Sequence, residues 1–476
     1  MSWIWGAKLT DPLHIVILAA GKGTRMRSGL PKVLQSLGGR PLIAHVLERA
    51  RSLSPTSICV VVGHEADRVR ATISATDLRF VDQVEQRGTG HAVSLALDGG
   101  PDDGQVLVLY GDVPLIPPED LRACVAPGTP NLVVLGADVS DPTGYGRLVE
   151  HAPGHLDGIV EERDADTEQR RIRRINTGIL RAPVGDLRRW LAAGEAEALR
   201  RSGEWYLTDV VAVARSEARE VALVLSAQPE AVLGVNDRLQ LAAQERLFQR
   251  QQAERCMRGG LTLADPARFD LRGTLEFGQD CSVDVNVVFE GRVRLGDRVR
   301  IGPGCVLRDV AVADDVRIDA FSVLESCVLD TACAVGPFAR LRPGARLEPG
   351  ARVGNFVEVK NAVLGPGAKA NHLAYLGDAE VGARANIGAG TITCNYDGAY
   401  KHRTRIGADA FIGSNSALVA PVMIGDGATI GAGTVLTRDA PPNALTLTRP
   451  PQQSRADWER PRKAPAAGSD QADPKP

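Results

Sequence analysis

An α/β domain with a mostly parallel sheet, followed by a parallel β-helix of hexapeptide repeats, is the fold class this sequence predicts. Two observations carry it. Strand-like and helix-like segments alternate from residue 14 to 235, and the last third of the chain counts in sixes. Ile406, Ile412, Leu418, Ile424, Ile430 and Leu436 stand six apart, as do Val335, Leu341, Leu347, Val353 and Val359, and Val283, Phe289, Leu295, Ile301 and Leu307. A period of six divides by the strand repeat of two but fits no run of helical turns. Between the aliphatics come Gly425-Asp426-Gly427 and Gly431-Ala432-Gly433, rich in residues that tolerate the positive φ of a tight corner. One short strand and one corner per six residues make a face. Three faces close a coil of about eighteen residues, and coils stack at the strand spacing of roughly 4.8 Å.

In chain order, residues 1–13 read as a loose leader. The apolar run 14–18 is a buried strand, and Ala19-Ala20-Gly21-Lys22-Gly23-Thr24-Arg25-Met26 a glycine loop and a helix start. Further strands are expected at 57–62, 106–109, 132–137 and 221–225, with helices at 44–53, 65–73 and 91–97 between them. That alternation implies a mostly parallel sheet covered on both faces. Leu239, Ala242, Ala243 and Leu247 have helical spacing within 236–258, and Gly259-Gly260 ends the run; residues 236–261 therefore read as a linker helix. The β-helix follows over 262–449, and 450–476 is a tail rich in Pro, Ala, Lys and Asp. Between Thr393 and Ile406 the spacing is thirteen, so a loop leaves the prism there.

A chain of 476 residues exceeds one ordinary core. Its formal net charge of −2 gives no electrostatic case for nucleic acid or an anionic membrane. The N-terminal stretch lacks a long apolar core followed by a small-residue cleavage site, and the run 15–20 is too short to span a bilayer. Eight cysteines, none in a C-x-x-C pair, suit reduced thiols in a cytoplasmic protein.

Chemistry concentrates in two places. A glycine loop after a strand presents backbone N–H groups to phosphate; Gly21 to Arg25 matches neither the Walker nor the dinucleotide pattern, so its neighbours carry the argument. Arg25 and Lys32 supply cations, Gly88-Thr89-Gly90 is a second flexible loop, and strand 106–109 runs into Tyr110-Gly111-Asp112. A carboxylate at the carboxyl end of a strand stands where open α/β sheets bind ligands, and beside a phosphate loop it is a candidate Mg²⁺ ligand. In the repeats, Arg342 and Lys360 are eighteen residues apart. An eighteen-residue coil stacks them as like charges, an arrangement that a phosphate between them would explain. His372, two-thirds of a coil past Lys360, is a candidate general base.

These residues carry a resemblance. The stretch Leu18 to Met26, Gln83-x₄-Gly88-Thr89-Gly90-His91, Leu109 to Leu115, Asp141-Pro142-Thr143-Gly144-Tyr145-Gly146-Arg147, Ile175-Asn176-Thr177-Gly178 and Gly234-Val235-Asn236 resemble the pyrophosphorylase half of the bifunctional N-acetylglucosamine-1-phosphate uridyltransferase/glucosamine-1-phosphate acetyltransferases. Residues 262–449 resemble the acetyltransferase half. The resemblance implies a Rossmann-like nucleotidyltransferase domain, a left-handed β-helix and a homotrimer. It also implies synthesis of UDP-N-acetylglucosamine for peptidoglycan and lipopolysaccharide precursors. Leu18, Ala19, Ala20, Gly21, Gln83, Gly88 and Thr89 would hold the uridine end of UTP. Arg25 and Lys32 would meet phosphates, Gly146, Glu161 and Asn176 N-acetylglucosamine 1-phosphate, and Asp112 with Asn236 the Mg²⁺. Arg342, Lys360, Tyr375 and Asn386 would bind glucosamine 1-phosphate, with His372 as base. Ala389, Ser414, Ala432 and Arg449 would lie along acetyl-CoA, with Asn395 and Tyr396 in the substrate loop.

Two rivals share the fold: a single-activity sugar-1-phosphate nucleotidyltransferase whose β-helix only assembles or regulates, and a non-catalytic nucleotide-sugar sensor. The first leaves the Arg342/Lys360 spacing and the thirteen-residue interruption unexplained. The second gives Asp112 no task.

Overall fold

The computed structural model describes residues 11–201 and 204–462, so residues 1–10 of the expected leader and 463–476 of the expected tail lie outside it. The chain divides into two compact units, Met1–Pro343 and Gly344–Pro476.

In the first unit, nine strands among the described residues form one sheet: β1 (Leu13–Leu18), β2 (Ser57–Val62), β3 (Leu78–Asp82), β4 (Gln105–Tyr110), β5 (Leu132–Asp138), β6 (Arg147–Ala152), β7 (His155–Val160), β8 (Arg174–Pro183) and β9 (Val221–Leu225). Their spatial order is β3-β2-β1-β4-β8-β5-β9-β7-β6. The first four are parallel, whereas β8 runs against both neighbours. The leader ends sooner than expected, because Leu13 already pairs in β1.

Side chains alternate across β1. Val16 and Leu18 pack with helices α3 (Thr89–Leu97), α5 (Val184–Arg201) and α6 (Asp209–Ser216). Ile15 and Ile17 pack with α1 (Leu42–Arg51), α2 (Ala66–Ile73) and α4 (Pro118–Cys124). Each such aliphatic contributes about 1.5–3 kcal/mol when taken out of water, so both faces of the sheet need cover. Because Leu18 is in register with Val61 and Tyr110, the carboxyl ends of β1, β2 and β4 finish flush at one edge.

Two sequence expectations need correction here. No α-helix follows the glycine loop after β1. Thr24–Met26 is a single 3₁₀ turn flanked by left-handed Gly23 (φ 60°) and Arg27 (φ 47°), which cannot continue an α-helix. A Cβ at Gly23 would stand 2.6 Å from Lys32 Cβ, so the glycine lets the Lys32 stem pass. The helix N-terminus at this edge comes instead from α3, whose first turn contains Thr89 and Gly90. The linker α7 (Arg238–Arg258) forms, capped by Asp237 accepting from the Gln240 N–H, but it buries another face. Gln244, Gln249, Ala253 and Cys256 are buried and Leu247 packs half-buried against the cluster of Met26, Leu37 and Leu42, while Leu239, Ala242 and Ala243 face solvent. Gln249 wins its place by pairing both amide ends with the Leu271 backbone.

Coils begin in this unit, where Phe269–Phe277 pairs with Val287–Leu295 at a spacing of eighteen. Val283 lies over Ile301 eighteen residues on, but Ile301 over Ile318 only seventeen. The repeat is therefore not strictly six; one step between the interior residues Leu307 and Val312 is five. Corners also use residues beyond Gly, Asn and Asp, including Phe321 and Phe338 at φ 57° and 55°. Their rings stack at 5.3 Å, a contact that offsets the backbone preference.

The second unit is a prism of three parallel ladders. Val353, Ala370, Ile387, Ile412 and Ile430 fill one face, Val359, Leu376, Thr393, Leu418 and Leu436 another, and Leu347, Leu364, Val381, Ile406 and Ile424 the third. From Ile387 to Ile412 the chain takes twenty-five residues instead of seventeen or eighteen. The surplus is extruded as a loop containing Tyr396 bridged to Lys401. Asp397 ties the loop, accepting from the Ala399 and Tyr400 N–H groups and from His402. Residues 450–462 are exposed and carry no strand or helix.

Candidate active sites

At the flush edge of the sheet lies a cleft of about 260 Å³ lined by Leu18, Ala19, Ala20, Gly21, Lys32, Gln83, Gly88, Thr89, Tyr110 and Asp112. The parallel register assembles it, bringing together loops that are distant in sequence. Lys32 Nζ donates to Asp112 Oδ2 and, at 3.0 Å, to Asn236 Oδ1. Asn236 reaches this point because Val235 N–H donates to the Asp112 carbonyl at 2.9 Å. Gln83 is buried and donates to the Gly88 carbonyl at 2.9 Å, tying the β3 end to the start of α3. Tyr110 is half-buried, and desolvation pushes its phenol well above the usual range despite a bond to Thr89.

A second cluster adjoins the first. Asn176 N–H donates to the Gly146 carbonyl at 2.8 Å, and Gly146 lies against the Glu161 carboxylate. Burial raises the Glu161 pKa, opposed by a 3.0 Å bond from Thr208 Oγ1. Arg25 stands on the exposed 3₁₀ turn, outside the cleft lining, with its charge acting on Tyr145.

Sequence reasoning missed the segment that joins the clusters. Leu207 N–H donates to Thr89 Oγ1 at 3.0 Å while the next residue, Thr208, holds Glu161. Glu204 and Gln86 also line the cleft, Gln86 donating to the Ala20 carbonyl at 2.7 Å. The one available signal was Trp205-Tyr206-Leu207 rising from a charged stretch.

In the second unit, His372 is in register with Asn355, and its Nδ1 lies 2.9 Å from Asn355 Oδ1. The same register, carried from coil to coil, aligns His372 with Ala389, Ser414 and Ala432 along one corner. Backbone bonds repeat along that corner, from Gly390 to Leu373, Asn415 to Ala389 and Gly433 to Ser414, at 2.7–2.9 Å. Arg449 Nη2 approaches the same end at Gly431. Asn386 is one position before the buried Ile387, and Tyr375 opens the strand after His372. Asn395 is buried at the loop base, whereas Tyr396 is exposed on the loop. Arg342 belongs to the first unit and Lys360 to the second.

Residues 15–175 match the MobA-like NTP transferase domain, and residues 403–438 the hexapeptide repeat of succinyl-transferase. The "Bifunctional protein GlmU" of Alkalilimnicola ehrlichii is 55% identical over 460 residues, covering 97% of this chain and 99% of that protein. Its namesake in Azoarcus sp. is 54% identical, covering 94% and 99%. That of Bordetella petrii is 54% identical, covering 95% and 99%.

Proposed function

The chain belongs to the family of bifunctional GlmU proteins, and from that premise we propose how its two activities divide between the two units. It is a bifunctional enzyme of UDP-N-acetylglucosamine synthesis, an acetyltransferase and a uridylyltransferase. The observation that carries the division is that the cleft assembles inside the first unit and the His372 corner inside the second.

In the first unit, UTP lies with its uridine against Leu18 to Gly21, Gln83, Gly88 and Thr89. N-acetylglucosamine 1-phosphate sits by Gly146, Glu161 and Asn176. Its phosphate oxygen attacks the α-phosphorus in line, and pyrophosphate leaves. Alignment and charge neutralisation dominate such a step, and Arg25, Lys32 and the α3 N-terminus supply both. Asp112 and Asn236 fit a magnesium site, since two hard oxygens already converge on one cation, the Lys32 ammonium. Among the described residues no cluster of three or more His, Cys, Asp or Glu stands ready to hold a metal alone, so water and phosphate oxygens would complete the sphere. Bound there, Mg²⁺ supplies neutralisation of the phosphate charge.

In the second unit, His372 donates its Nδ1 proton to Asn355 Oδ1, which leaves the Nε2 lone pair as a base. The neutral amine of glucosamine 1-phosphate, held by Lys360, Tyr375 and Asn386, attacks the thioester carbonyl. His372 takes the amine proton and passes it to the departing sulfur, so that coenzyme A leaves as the thiol and the base is regenerated. Ala389, Ser414 and Ala432 form a track of small side chains beside the base, suited to an extended pantetheine chain, with Arg449 at its end. We place the enzyme in the cytoplasm as a homotrimer; among the described residues no helix is long and apolar enough to cross a membrane.

Thiol release from acetyl-CoA with glucosamine 1-phosphate tests the division. His372→Ala should lower it by about a hundredfold, the scale of a lost general base, and leave uridylyl transfer from supplied N-acetylglucosamine 1-phosphate intact. Wild-type enzyme that releases no thiol would make the β-helix a scaffold.

A further inference from the structure

We propose that Asp378 is a positioning residue of the acetyl-transfer site, fixing which end of the Asn395 carboxamide faces the ligand. The proposal rests on the assignment of acetyl transfer to the second unit.

Asp378 stands at a left-handed corner (φ 47°) and is 8% exposed. Its two carboxylate oxygens accept from Asn361 Nδ2 and Asn395 Nδ2, each at 2.5 Å. Its backbone N–H donates to the Lys360 carbonyl at 3.0 Å, and its carbonyl accepts from Thr404 N–H at 3.2 Å. One residue thus grips the preceding coil and both ends of the extruded loop. The neighbouring Gly377 shows how tightly the site closes on it. A Cβ there would come within 2.3 Å of Tyr375 Oη and 2.8 Å of Asn395 Nδ2.

The chemistry of the contact dictates an orientation. An ionised carboxylate only accepts hydrogen bonds, whereas a carboxamide has one donating and one accepting end. Burial pushes Asp378 up, but the bonds from Asn361 and Asn395, with the charges of Lys401 and Lys360, hold it below the usual carboxylate range. Asn395 must therefore turn Nδ2 toward Asp378 and leave Oδ1 on the opposite side. Being 7% exposed, it has little water to compensate the reverse orientation. The ligand group that meets Asn395 is accordingly an N–H or O–H donor.

Three variants test this, assayed for both activities in the full-length enzyme. Asp378→Asn lets the Asn395 amide turn over, and the KM for acetyl-CoA or glucosamine 1-phosphate should rise on the order of tenfold, the value of one misdirected hydrogen bond. Asn395→Asp keeps an outward oxygen but sets two carboxylates face to face, and should lose more. The exchange Asp378→Asn/Asn395→Asp again places one carboxylate against two amide groups. It should recover about tenfold or more over Asn395→Asp, which a merely structural role for Asp378 would not give. Uridylyl transfer should stay at the wild-type rate throughout. Unchanged KM values in Asp378→Asn overturn the proposal, as does an exchange, folded by its thermal melt, that is no better than Asn395→Asp. If the exchange does not fold, Asp378→Asn decides alone. Absence of acetyl transfer in the wild type removes the underlying reading and this proposal together.

Discussion

Gly178→Ala should separate the two activities through a single methyl group. Gly178 has φ +85°, and a Cβ there would stand 2.6 Å from Tyr110 Cε2 and 2.8 Å from Cζ. Holding alanine in the left-handed region costs about 1–2 kcal/mol. Carbon atoms pack at about 3.5–4.0 Å, so the Tyr110 ring must retreat by about 1 Å. Tyr110 lines the cleft, bonds Thr89 and precedes Gly111-Asp112. A displacement of that size near reacting groups can lower a rate by about a hundredfold. Pyrophosphate release from UTP and N-acetylglucosamine 1-phosphate should therefore fall about 10–100-fold in kcat/KM, and urea unfolding should register a loss of about 1–2 kcal/mol. Acetyl transfer should remain at the wild-type rate. Wild-type uridylyl kinetics in a folded Gly178→Ala protein would show that the Tyr110 position does not govern the cleft.

A pH dependence follows from His45, which is 6% exposed on α1 and bonded through Nε2 to the Leu37 carbonyl at 2.9 Å. Burial outweighs that bond and lowers its pKa below the ordinary 6.5. The folded state then binds fewer protons than the unfolded one, so this contribution is complete above the ordinary value and is lost as pH falls below it. Urea midpoints at pH 8 and pH 5.5 should differ by less in His45→Gln than in the wild type; equal slopes would argue against the assignment. Inside the prism, Thr393 Oγ1 accepts from Gly377 N–H at 2.7 Å. Thr393→Val keeps the shape but leaves that buried N–H unpaired, a cost of about 1–3 kcal/mol. A melting temperature no lower than that of the wild type would refute it.

The sequence announced what depends on local period and missed what depends on pairing partners. The strand at 106–109 and its terminal Asp112 were legible because an apolar run ending in a polar corner has one simple reading. The strands that became β6 and β8 were not, since Arg147, Arg174 and Arg181 break the apolar pattern, and only tertiary contacts such as Arg174 with Asp138 and Arg181 with the Cys124 carbonyl accommodate such charges. Linker helix α7 shows the same limit. Its apolar residues suggested one face, and glutamines with particular backbone partners set another. The hexads gave the prism but not the five-residue steps, because a shortened corner leaves the inward aliphatic in place. Among candidate site residues, the glycine loop and Asp112 stood out, whereas Glu204 to Thr208 reaches the cleft only through where the chain brings it.

The extruded loop has a consequence for how such a rod can change. Ile387 and Ile412 remain stacked although twenty-five residues separate them, and Ile412 and Ile430 stack across eighteen. Registration is set by the inward residue of each rung, so a surplus of seven residues is discharged at a corner and the next rung begins as if nothing had been added. Lengthening such an excursion costs only loop-closure entropy, which grows slowly with length. The rod behaves as a rack whose shelves can be refitted singly, so contacts at a corner can be gained or lost on one rung without renegotiating the core.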